Sequence, residues 1–411
     1  MIKKISQFRT NQPFLFDFIT ALVTALLFSG FIYLEYYGIS LKFLNTLFAL
    51  SALTLLLYIP KRAVLIAGFF IGLLWFYWIG YSFKYNGVGW MSPLVSLGFG
   101  LVYMGIFGVL SFTNKVYIRA ILLFGISFFA PFGFQWLQIE LLFVESYIGI
   151  FKYQLLLVLL ALSLPAYVKG RYKYTPLILI LFAVNFNTPT TQLAPLKIKL
   201  VATDIKQDEK WLQSSKRGII QENLLAIKKA INEGYDLVIL PESTFPLYMN
   251  KYPNLTASLK KLSNKISIVA GALYMGEDGN FNVTYLFQNE EISIAKKMVL
   301  VPFGEYVPLP KFAQKFISDY FFAGQADFIH SEVATDFIIK GVKFRNAICY
   351  EATTQDIYEG DVKFVIATSN NAWFTPSIEP TLQNLLMRYY ARKNGVTIYH
   401  ASNSKGTGII Q

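Results

Sequence analysis

Residues 299–310 spell VLVPFGEYVPLP and lie between the acidic segment Pro241-Glu242-Ser243 and the only cysteine of the chain, Cys349. Lys297 stands two residues before this stretch. Glu242, Lys297 and Cys349 each follow an apolar run. Together they have the chemistry of a nucleophilic site, because a carboxylate can take the proton of a thiol and an ammonium can stabilise a developing negative charge. The stretch therefore predicts a catalytic domain in this half of the chain.

The composition predicts a membrane protein. Of 411 residues, 54% are hydrophobic and 15% are charged, which is too apolar for a single soluble domain. Residues 1–190 hold 13 lysines and arginines against 4 acidic residues, so most of the net charge of +12 lies there. This excess is typical of membrane loops and does not suggest a nucleic-acid partner. With one cysteine and two histidines we expect no internal disulfide, no metal site and no cofactor.

About seven apolar segments predict a multi-pass helical membrane domain over residues 1–188, followed by a linker at 189–195 and a catalytic domain at 196–411. Because seven is odd, the catalytic domain should lie across the membrane from the N-terminus. Ten basic residues fall in loops on the N-terminal side and three on the other, which places the catalytic domain outside the cytoplasm. The predicted spans are 14–34, 41–59, 63–83, 92–113, 118–137, 149–168 and 174–187.

Charged residues are scarce inside these segments, which disfavours a transporter. Glu140 and Glu145 fall near segment ends, and we interpret them as interfacial carboxylates in a loop, with the lining of an outward-facing cavity as the alternative.

Beyond the linker, short apolar runs alternate with helix-like stretches, a pattern that predicts an α/β sandwich with a largely buried sheet. In such folds reactive groups gather where strands end and loops aim them into a shared crevice. The predicted strands are 196–202, 236–240, 266–274, 282–288, 292–298, 342–350, 362–369 and 395–401, and the predicted helices are 218–233, 255–265 and 380–393.

Each catalytic candidate also has an ordinary structural interpretation. Glu242 can begin a helix that Ser243 caps, Lys297 can be a solvated surface lysine, and Cys349 can be an inert core residue. Their joint occurrence in this order, with Phe303-Gly304-Glu305 between the lysine and the cysteine, favours a functional site.

Residues 196–410 resemble the nitrilase superfamily of carbon–nitrogen hydrolases, whose Glu–Lys–Cys triad occurs in the same order. With seven predicted spans in front, the chain is most similar to the apolipoprotein N-acyltransferase family of bacterial lipoprotein maturation. The resemblance rests on PES at 241–243, K-x-x-LVPFGE at 297–305, ICYE at 348–351 and SNNAWF at 369–374. It implies the αββα sandwich of that superfamily.

The resemblance also implies roles for individual residues. Glu242 would be the general base, Lys297 the cation that stabilises the oxyanion, with Lys296 as the fallback, and Cys349 the nucleophile. Asn282 matches a structural asparagine. The residues expected to support the site or bind substrate are Trp211, Phe303, Glu305, Tyr350 and Glu351.

The implied reaction moves an acyl chain from a phospholipid, through a thioester on the cysteine, to the N-terminal amine of a diacylglyceryl-modified cysteine on an apolipoprotein. The resemblance further implies a monomer in the bacterial inner membrane with its catalytic domain on the periplasmic side. Two alternatives stay open on the residues alone. One is a membrane-tethered amidase that acts on small amides, and the other is a non-catalytic scaffold or transporter.

Several features depart from the family pattern or extend it. Asn371 replaces an aspartate, Asn384 a histidine and Lys405 a glycine. In the family, further strands and a last membrane helix usually follow the position of Gln411, so the resemblance implies either that a C-terminal part is missing from this sequence or that the chain is a naturally short variant. The aromatic-rich segment 311–327 is hypothesised to be an arm that dips into the membrane interface, with an ordinary packed helix as the alternative.

Overall fold

Apolar helices make up the first part of the chain in the computed structural model, which describes residues 10–186, 191–302, 305 and 328–411. Within those ranges, three helical stretches are long and apolar enough to cross a membrane, namely Pro13–Tyr36, Lys61–Tyr85 and Gly89–Phe112. The α-helices of this part are α1 (Pro13–Tyr36), α2 (Lys42–Tyr58), α3 (Lys61–Phe76), α4 (Ser92–Gly108), α5 (Val116–Ile126), α6 (Lys152–Ser163) and α7 (Leu179–Ala183).

The predicted helical membrane domain is confirmed, while the count of seven spans stays a prediction. Four of the predicted segments coincide with long helices, from α1 to α4. The segment 118–137 holds only the 11-residue helix α5, and the segment 174–187 holds a short 3₁₀ turn followed by the five-residue α7. These pieces are shorter than the ~20 residues that a straight helical span requires.

Arg119 lies inside this helical part rather than in a loop, where the charge count had put it. It belongs to α5, and only 2% of its surface is exposed. Its Nη1 donates to the carbonyl oxygens of Leu57 and Ile59 at 3.2 and 2.6 Å, and its Nε donates to those of Leu110 and Thr113 at 3.0 Å each. These carbonyls lie at the ends of helical segments, where no intrahelical donor is available. Arg119 therefore caps two helix ends.

Glu140 and Glu145, interpreted above as interfacial loop carboxylates, lie in the segment between α5 and α6 and are buried in the protein. Glu140 is fully buried and forms an ion pair with Lys152 at 2.5 Å, and only 5% of Glu145 is exposed. A buried carboxylate requires such a partner, because the apolar surroundings do not solvate its charge.

Within the described residues, the second part contains two five-stranded sheets. The strands are β1 (Ile198–Leu200), β2 (Leu237–Ile239), β3 (Ser267–Met275), β4 (Asn280–Gln288), β5 (Glu291–Lys296), β6 (Asp336–Ile339), β7 (Val342–Ile348), β8 (Phe364–Asn370), β9 (Thr397–Asn403) and β10 (Gly408–Ile410). In the first sheet the order is β1-β2-β3-β4-β5, with β1 to β3 parallel, and in the second it is β10-β9-β8-β7-β6, with β7 to β9 parallel. Helices α8 (Gln207–Lys210), α9 (Gln213–Asn232), α10 (Pro253–Ser263) and α11 (Glu379–Asn394) accompany them.

Strand β2 shows how the layers are built. Leu237 and Ile239 pack in a core with residues of the second sheet such as Phe344, whereas Val238 packs with Ile227 of α9. Successive side chains of a strand point to opposite faces, so an apolar run buries both faces of a parallel strand. The two sheets therefore face each other with helices outside, which confirms the predicted α/β sandwich.

The structure divides into two compact units. One contains α1 to α7, and the other contains the sandwich together with two short segments from the first half of the sequence, Tyr85–Gly87 and Phe132–Trp136. In the second unit the carboxyl ends of β2, β5 and β7 lead into the segments that carry Glu242, Lys297 and Cys349.

Candidate active site

Glu242 lies in a tight turn just after β2, with 7% of its surface exposed. Ser243, the next residue, has a φ of 46°. Strand β3 runs against this turn, because Gly271 donates its N–H to the carbonyl of Pro241 at 3.3 Å and accepts from the N–H of Phe245 at 3.1 Å. A Cβ on Gly271 would lie 2.7 Å from Glu242 Cα, so this approach requires glycine.

Asn282 links the carboxylates of the site. It lies on β4 and donates from Nδ2 to Glu242 Oε1 at 2.8 Å and to Glu305 Oε1 at 3.4 Å. Its carbonyl accepts the N–H of Lys297 at 3.0 Å, which brings the end of β5 beside it. Asn282 therefore holds Glu242 and Glu305 at one place in the fold.

Lys297 forms an ion pair with Glu305, with its Nζ 2.8 Å from Oε1 and 2.7 Å from Oε2. Only 1% of Lys297 is exposed. Burial lowers the pKa of this lysine, but the negative charges of Glu305 and Glu242 outweigh burial and raise the pKa above its ordinary value, so the ammonium stays charged. Lys296, the fallback, instead lies with its Nζ 3.9 Å from the ring centroid of Phe281. The geometry therefore favours Lys297.

Cys349 ends strand β7 and begins a 3₁₀ turn, Cys349–Thr353. Its φ is 56°, a strained conformation for a residue other than glycine and one often found at reactive positions. Burial raises the pKa of the thiol well above its usual range, the charge of Glu242 adds to this shift, and Lys297 opposes it. The three candidate residues are therefore within electrostatic reach of one another, and the thiol is protonated at neutral pH.

Glu351 connects the turn that begins at Cys349 to the segment after Lys297. One carboxylate oxygen accepts the N–H groups of Met298 and Val299, the latter at 2.9 Å, and the other accepts the N–H of Ile348 at 2.6 Å. The side chain is 1% exposed, and burial raises its pKa to about 7, against the effect of Lys297 and of these donors. Glu351 thus ties two chain segments of the site together.

Tyr350 is enclosed by the segment Phe132–Trp136. Its ring stacks on those of Phe134 and Trp136 with centroids 5.9 and 6.3 Å apart. Its hydroxyl donates to the carbonyl of Gly133 at 3.2 Å and accepts the N–H of Gln135 at the same distance. Stacking on its ring and two hydrogen bonds to its hydroxyl therefore fix the residue that follows Cys349.

Two further predicted residues stand apart. Trp211 follows α8 with 43% of its surface exposed, and no contact with the candidate triad is observed within the described part of the chain. Phe303 lies outside the described residues, as does the arm hypothesised at 311–327.

Sequence reasoning missed two buried ionisable groups near the triad. Lys210 is 1% exposed and donates to the main-chain carbonyl of Glu242 at 3.1 Å. Burial lowers the pKa of Lys210 to about 8, although the charges of Glu242 and Cys349 oppose that shift. Glu379, at the start of α11, is 1% exposed, and burial together with the charge of Glu242 raises its pKa well above the usual range. In the sequence both look like ordinary helix-surface charges, so no signal pointed to them.

Comparisons with known families assign both units. Residues 15–186 match the apolipoprotein N-acyltransferase integral membrane domain, and residues 202–407 match the carbon–nitrogen hydrolase domain. The second match covers the strands and turns that carry the candidate triad.

Curated relatives match over nearly the whole chain. An apolipoprotein N-acyltransferase of Wolinella succinogenes is 42% identical over 95% of this chain and 95% of its own length. The enzyme of the same name from Helicobacter hepaticus is 39% identical over 89% of this chain and 93% of its own, and that from Campylobacter jejuni is 34% identical over 97% and 91%. These matches favour the acyltransferase over the amidase alternative, and the chain belongs to the apolipoprotein N-acyltransferase family.

Proposed function

We propose that this protein transfers an acyl chain from a phospholipid to the N-terminal amine of a diacylglyceryl-modified apolipoprotein, with Cys349, Glu242 and Lys297 as its catalytic triad. Its family membership and the names of its relatives support the overall activity. The proposal for the three residues rests on their geometry.

The observation that carries this assignment is the hydrogen-bonded set that runs from Glu242 through Asn282 and Glu305 to Lys297, beside a cysteine with positive φ. It combines a base, a charged lysine and a thiol at the ends of buried strands. These are the groups that nucleophilic acyl transfer requires.

In the first step Cys349 attacks the ester carbonyl of the phospholipid. Because the thiol is protonated at rest, Glu242 takes its proton as the carbon–sulfur bond forms. The ammonium of Lys297 stabilises the oxyanion of the tetrahedral intermediate. The carbon–oxygen bond then breaks, the alkoxide leaving group receives the proton from Glu242, and a lysophospholipid departs.

In the second step the α-amine of the apolipoprotein cysteine attacks the thioester. A carbon–nitrogen bond forms, the carbon–sulfur bond breaks, and Glu242 passes a proton from the amine to the sulfur. The product is an N-acylated lipoprotein and the free thiol. Glu305 and Asn282 keep Lys297 and Glu242 in place through both steps.

Both substrates carry acyl chains, which explains why the catalytic unit is linked to membrane helices. We place the enzyme, as a monomer, in the bacterial inner membrane. The seven predicted spans and the distribution of loop charges put its catalytic domain on the periplasmic side.

The test is to incubate the purified full-length protein with a phospholipid that carries a labelled acyl chain. We expect a covalent adduct that hydroxylamine releases, since hydroxylamine cleaves thioesters, and we expect a diacylglyceryl peptide to discharge it. Glu242→Gln should slow adduct formation by about 10²-fold or more, because general base catalysis contributes factors of that size. Glu222→Gln, at an exposed glutamate of α9, is the matched control and should behave as wild type.

Cys349→Ala should form no adduct. An adduct that persists in this variant, or a wild-type protein that hydrolyses small soluble amides without any phospholipid, would contradict the proposal.

A further inference from the structure

The first turns of α11 face the nucleophile. Gln383 lies one turn after Glu379 on this helix, is fully buried, and has its side-chain nitrogen Nε2 4.0 Å from the sulfur of Cys349. That distance is within reach of a weak N–H to sulfur hydrogen bond, and charge-assisted bonds are shorter and stronger than neutral ones. The amide of Gln383 can therefore respond to the charge state of the sulfur.

A main-chain carbonyl determines which end of the Gln383 amide faces the sulfur. Asn371, also fully buried, has its Nδ2 3.0 Å from the carbonyl oxygen of Lys405 and 3.0 Å from Gln383 Oε1. A carbonyl oxygen can only accept, so Asn371 must present its NH₂ group to Lys405. Gln383 must then present its oxygen to Asn371, which leaves its own N–H groups on the side of Cys349.

The opposite orientation of Asn371 is unfavourable. It would place Asn371 Oδ1 against the Lys405 carbonyl, with two acceptors facing each other, and would leave a buried NH₂ group unpaired. The observed orientation leaves only Oδ1 without a hydrogen-bond partner within the described part of the chain. The loop that contains Lys405 can approach Asn371 this closely because residue 406 is a glycine. Its φ is 113°, and a Cβ at this position would lie 3.2 Å from Asn371 Nδ2.

We propose that Gln383 is a further catalytic residue that donates an N–H to the sulfur of Cys349, and that Asn371 and the Lys405 carbonyl are positioning groups that fix the direction of this amide. The inference rests on the proposed role of Cys349 as nucleophile.

The donor matters because the surroundings of the sulfur are rich in carboxylates. Among the described residues, the charges of Glu242, Glu305 and Glu379 oppose a negative sulfur, and those of Lys297 and Lys210 favour it. A further carboxyl group, that of Glu351, lies in the same turn as Cys349. A neutral N–H aimed at the sulfur stabilises the thiolate without adding another charge to a buried site.

The sulfur carries negative charge twice in the proposed cycle. In the first step it does so as its proton moves to Glu242 and the carbon–sulfur bond forms. In the second step it does so as that bond breaks and the sulfur leaves the acyl carbon. An N–H that binds the thiolate more strongly than the thiol lowers both barriers, because only interactions that strengthen toward the transition state accelerate a reaction.

The test uses the fact that Cys349 is the only cysteine. Its alkylation by iodoacetamide, followed against pH in the purified full-length protein, gives the pH midpoint of the thiol without any acyl transfer. In Gln383→Met, of similar size but without the donor, we expect this midpoint to move to higher pH and the rate of acyl-adduct formation to fall about tenfold. Gln383→Glu keeps the acceptor for Asn371 but replaces the donor with an oxygen, so the midpoint should move further upward.

Asn371→Leu tests the positioning group. Because Asn371 is proposed to act through Gln383, the double variant Asn371→Leu with Gln383→Met should be no slower than Gln383→Met alone. Gln221→Met, at an exposed glutamine of α9, is the matched control and should leave both measurements unchanged.

A wild-type midpoint and rate in Gln383→Met would overturn the proposal. A double variant slowed by the product of the two single effects would show that Asn371 acts independently of Gln383, which would overturn the positioning role. If wild type forms no adduct, the proposed function fails, but the midpoint shift would still report the hydrogen bond to the sulfur.

Discussion

Lys210 lies under the turn that carries Glu242, and its burial makes it unusual for a lysine in a short surface helix. A buried ammonium costs several kcal/mol of desolvation, and a single hydrogen bond to a carbonyl offsets only part of that cost. A residue that opposes stability in this way is better explained by the electrostatics of the site than by packing.

We predict that Lys210→Met slows acyl-adduct formation about tenfold while it leaves the melting temperature close to that of wild type. Activity should fall because Glu242 loses a donor to its main chain and the site loses a cation. Stability should hold because removal of a buried charge offsets the lost hydrogen bond. The adduct rate and thermal unfolding in detergent check this, with Lys206→Met as the control at an exposed lysine. Equal losses of activity and stability would mean that Lys210 is a structural residue.

His400 couples the stability of the second sheet to pH. It is fully buried on β9, with Nδ1 2.8 Å from the Gly406 carbonyl and Nε2 2.9 Å from Ser369 Oγ. Because the carbonyl can only accept, Nδ1 carries a proton. Burial lowers the pKa of His400 to about 4 from the ordinary 6.5, although the hydrogen bond to Gly406 opposes the shift.

We predict that the protein loses about 3 kcal/mol of stability through this histidine as the pH falls from about 6.5 to about 4. In that window the unfolded chain binds a proton that the folded chain does not. The stability that depends on neutral His400 is therefore fully present above pH 6.5 and is lost as the pH falls toward 4. The melting temperature of the wild-type protein should fall steeply as the pH is lowered from 8 to 4. His400→Gln should melt lower at pH 7.5 but with a flatter profile, and parallel profiles for the two proteins would refute the assignment.

At the scale of elements, the position of Glu242 depends on how closely β3 passes its turn. A Cβ at residue 271 would lie 2.5 Å from the N atom of Ser243 and 2.7 Å from Glu242 Cα. These are main-chain atoms, which cannot rotate away as a side chain could, so the turn itself would have to move.

We predict that Gly271→Ala lowers the rate of adduct formation by about 10²-fold, because a displacement of the order of 1 Å at a catalytic group can cost that much. It should also destabilise the fold by about 1–3 kcal/mol through overpacking. Gly218→Ala is the control, since Gly218 lies in α9 with no atom near its missing Cβ, and alanine there should stabilise the helix by up to about 1 kcal/mol. Wild-type kinetics in Gly271→Ala would contradict the role of this close approach.

Strand and helix positions in the catalytic unit were largely predictable, because buried strands appear as short apolar runs with polar ends. The predicted run 236–240 contains β2, and the predicted helix 380–393 is α11 apart from one residue at each end. Strands β6 and β10 were missed, since four and three residues carry too little pattern. In the helical unit, segments of adequate hydropathy over 118–137 and 174–187 proved to hold only short helices.

The site itself was predictable only where a residue follows an apolar run. Of the two adjacent lysines, the sequence favours Lys297 only through its spacing of three residues to Leu300 in the LVPFGE motif. In the structure Lys297 is 1% exposed, whereas Lys296 lies against the ring of Phe281. The supporting contacts join positions far apart in the sequence, as when Glu351 accepts the N–H of Val299 or Trp136 donates to Thr353 Oγ1 at 2.7 Å. A single sequence contains no signal for such pairs.

At the scale of the whole molecule, two features of the sequence bear on the side on which the catalytic domain lies, namely the odd number of predicted spans and the loop charges. One of the charges in that count, Arg119, proved to be buried and bonded to carbonyls, so its charge is not free to interact with the membrane surface. Without Arg119, nine basic loop residues lie on the N-terminal side and three on the other side, so the bias under the positive-inside rule persists.

We predict that the catalytic domain faces the periplasm, and the single cysteine makes the test simple. Cys349→Ala gives a cysteine-free chain. One exposed lysine can then be changed to cysteine, either Lys228 on α9 or Lys115 in the loop before α5. A membrane-impermeant maleimide should label Lys228→Cys in intact spheroplasts and should label Lys115→Cys only after detergent lysis, because four predicted spans precede Lys115 and seven precede Lys228. Labelling of both cysteines in intact cells would contradict an odd number of spans between the N-terminus and the catalytic domain, and the reverse pattern would place that domain in the cytoplasm.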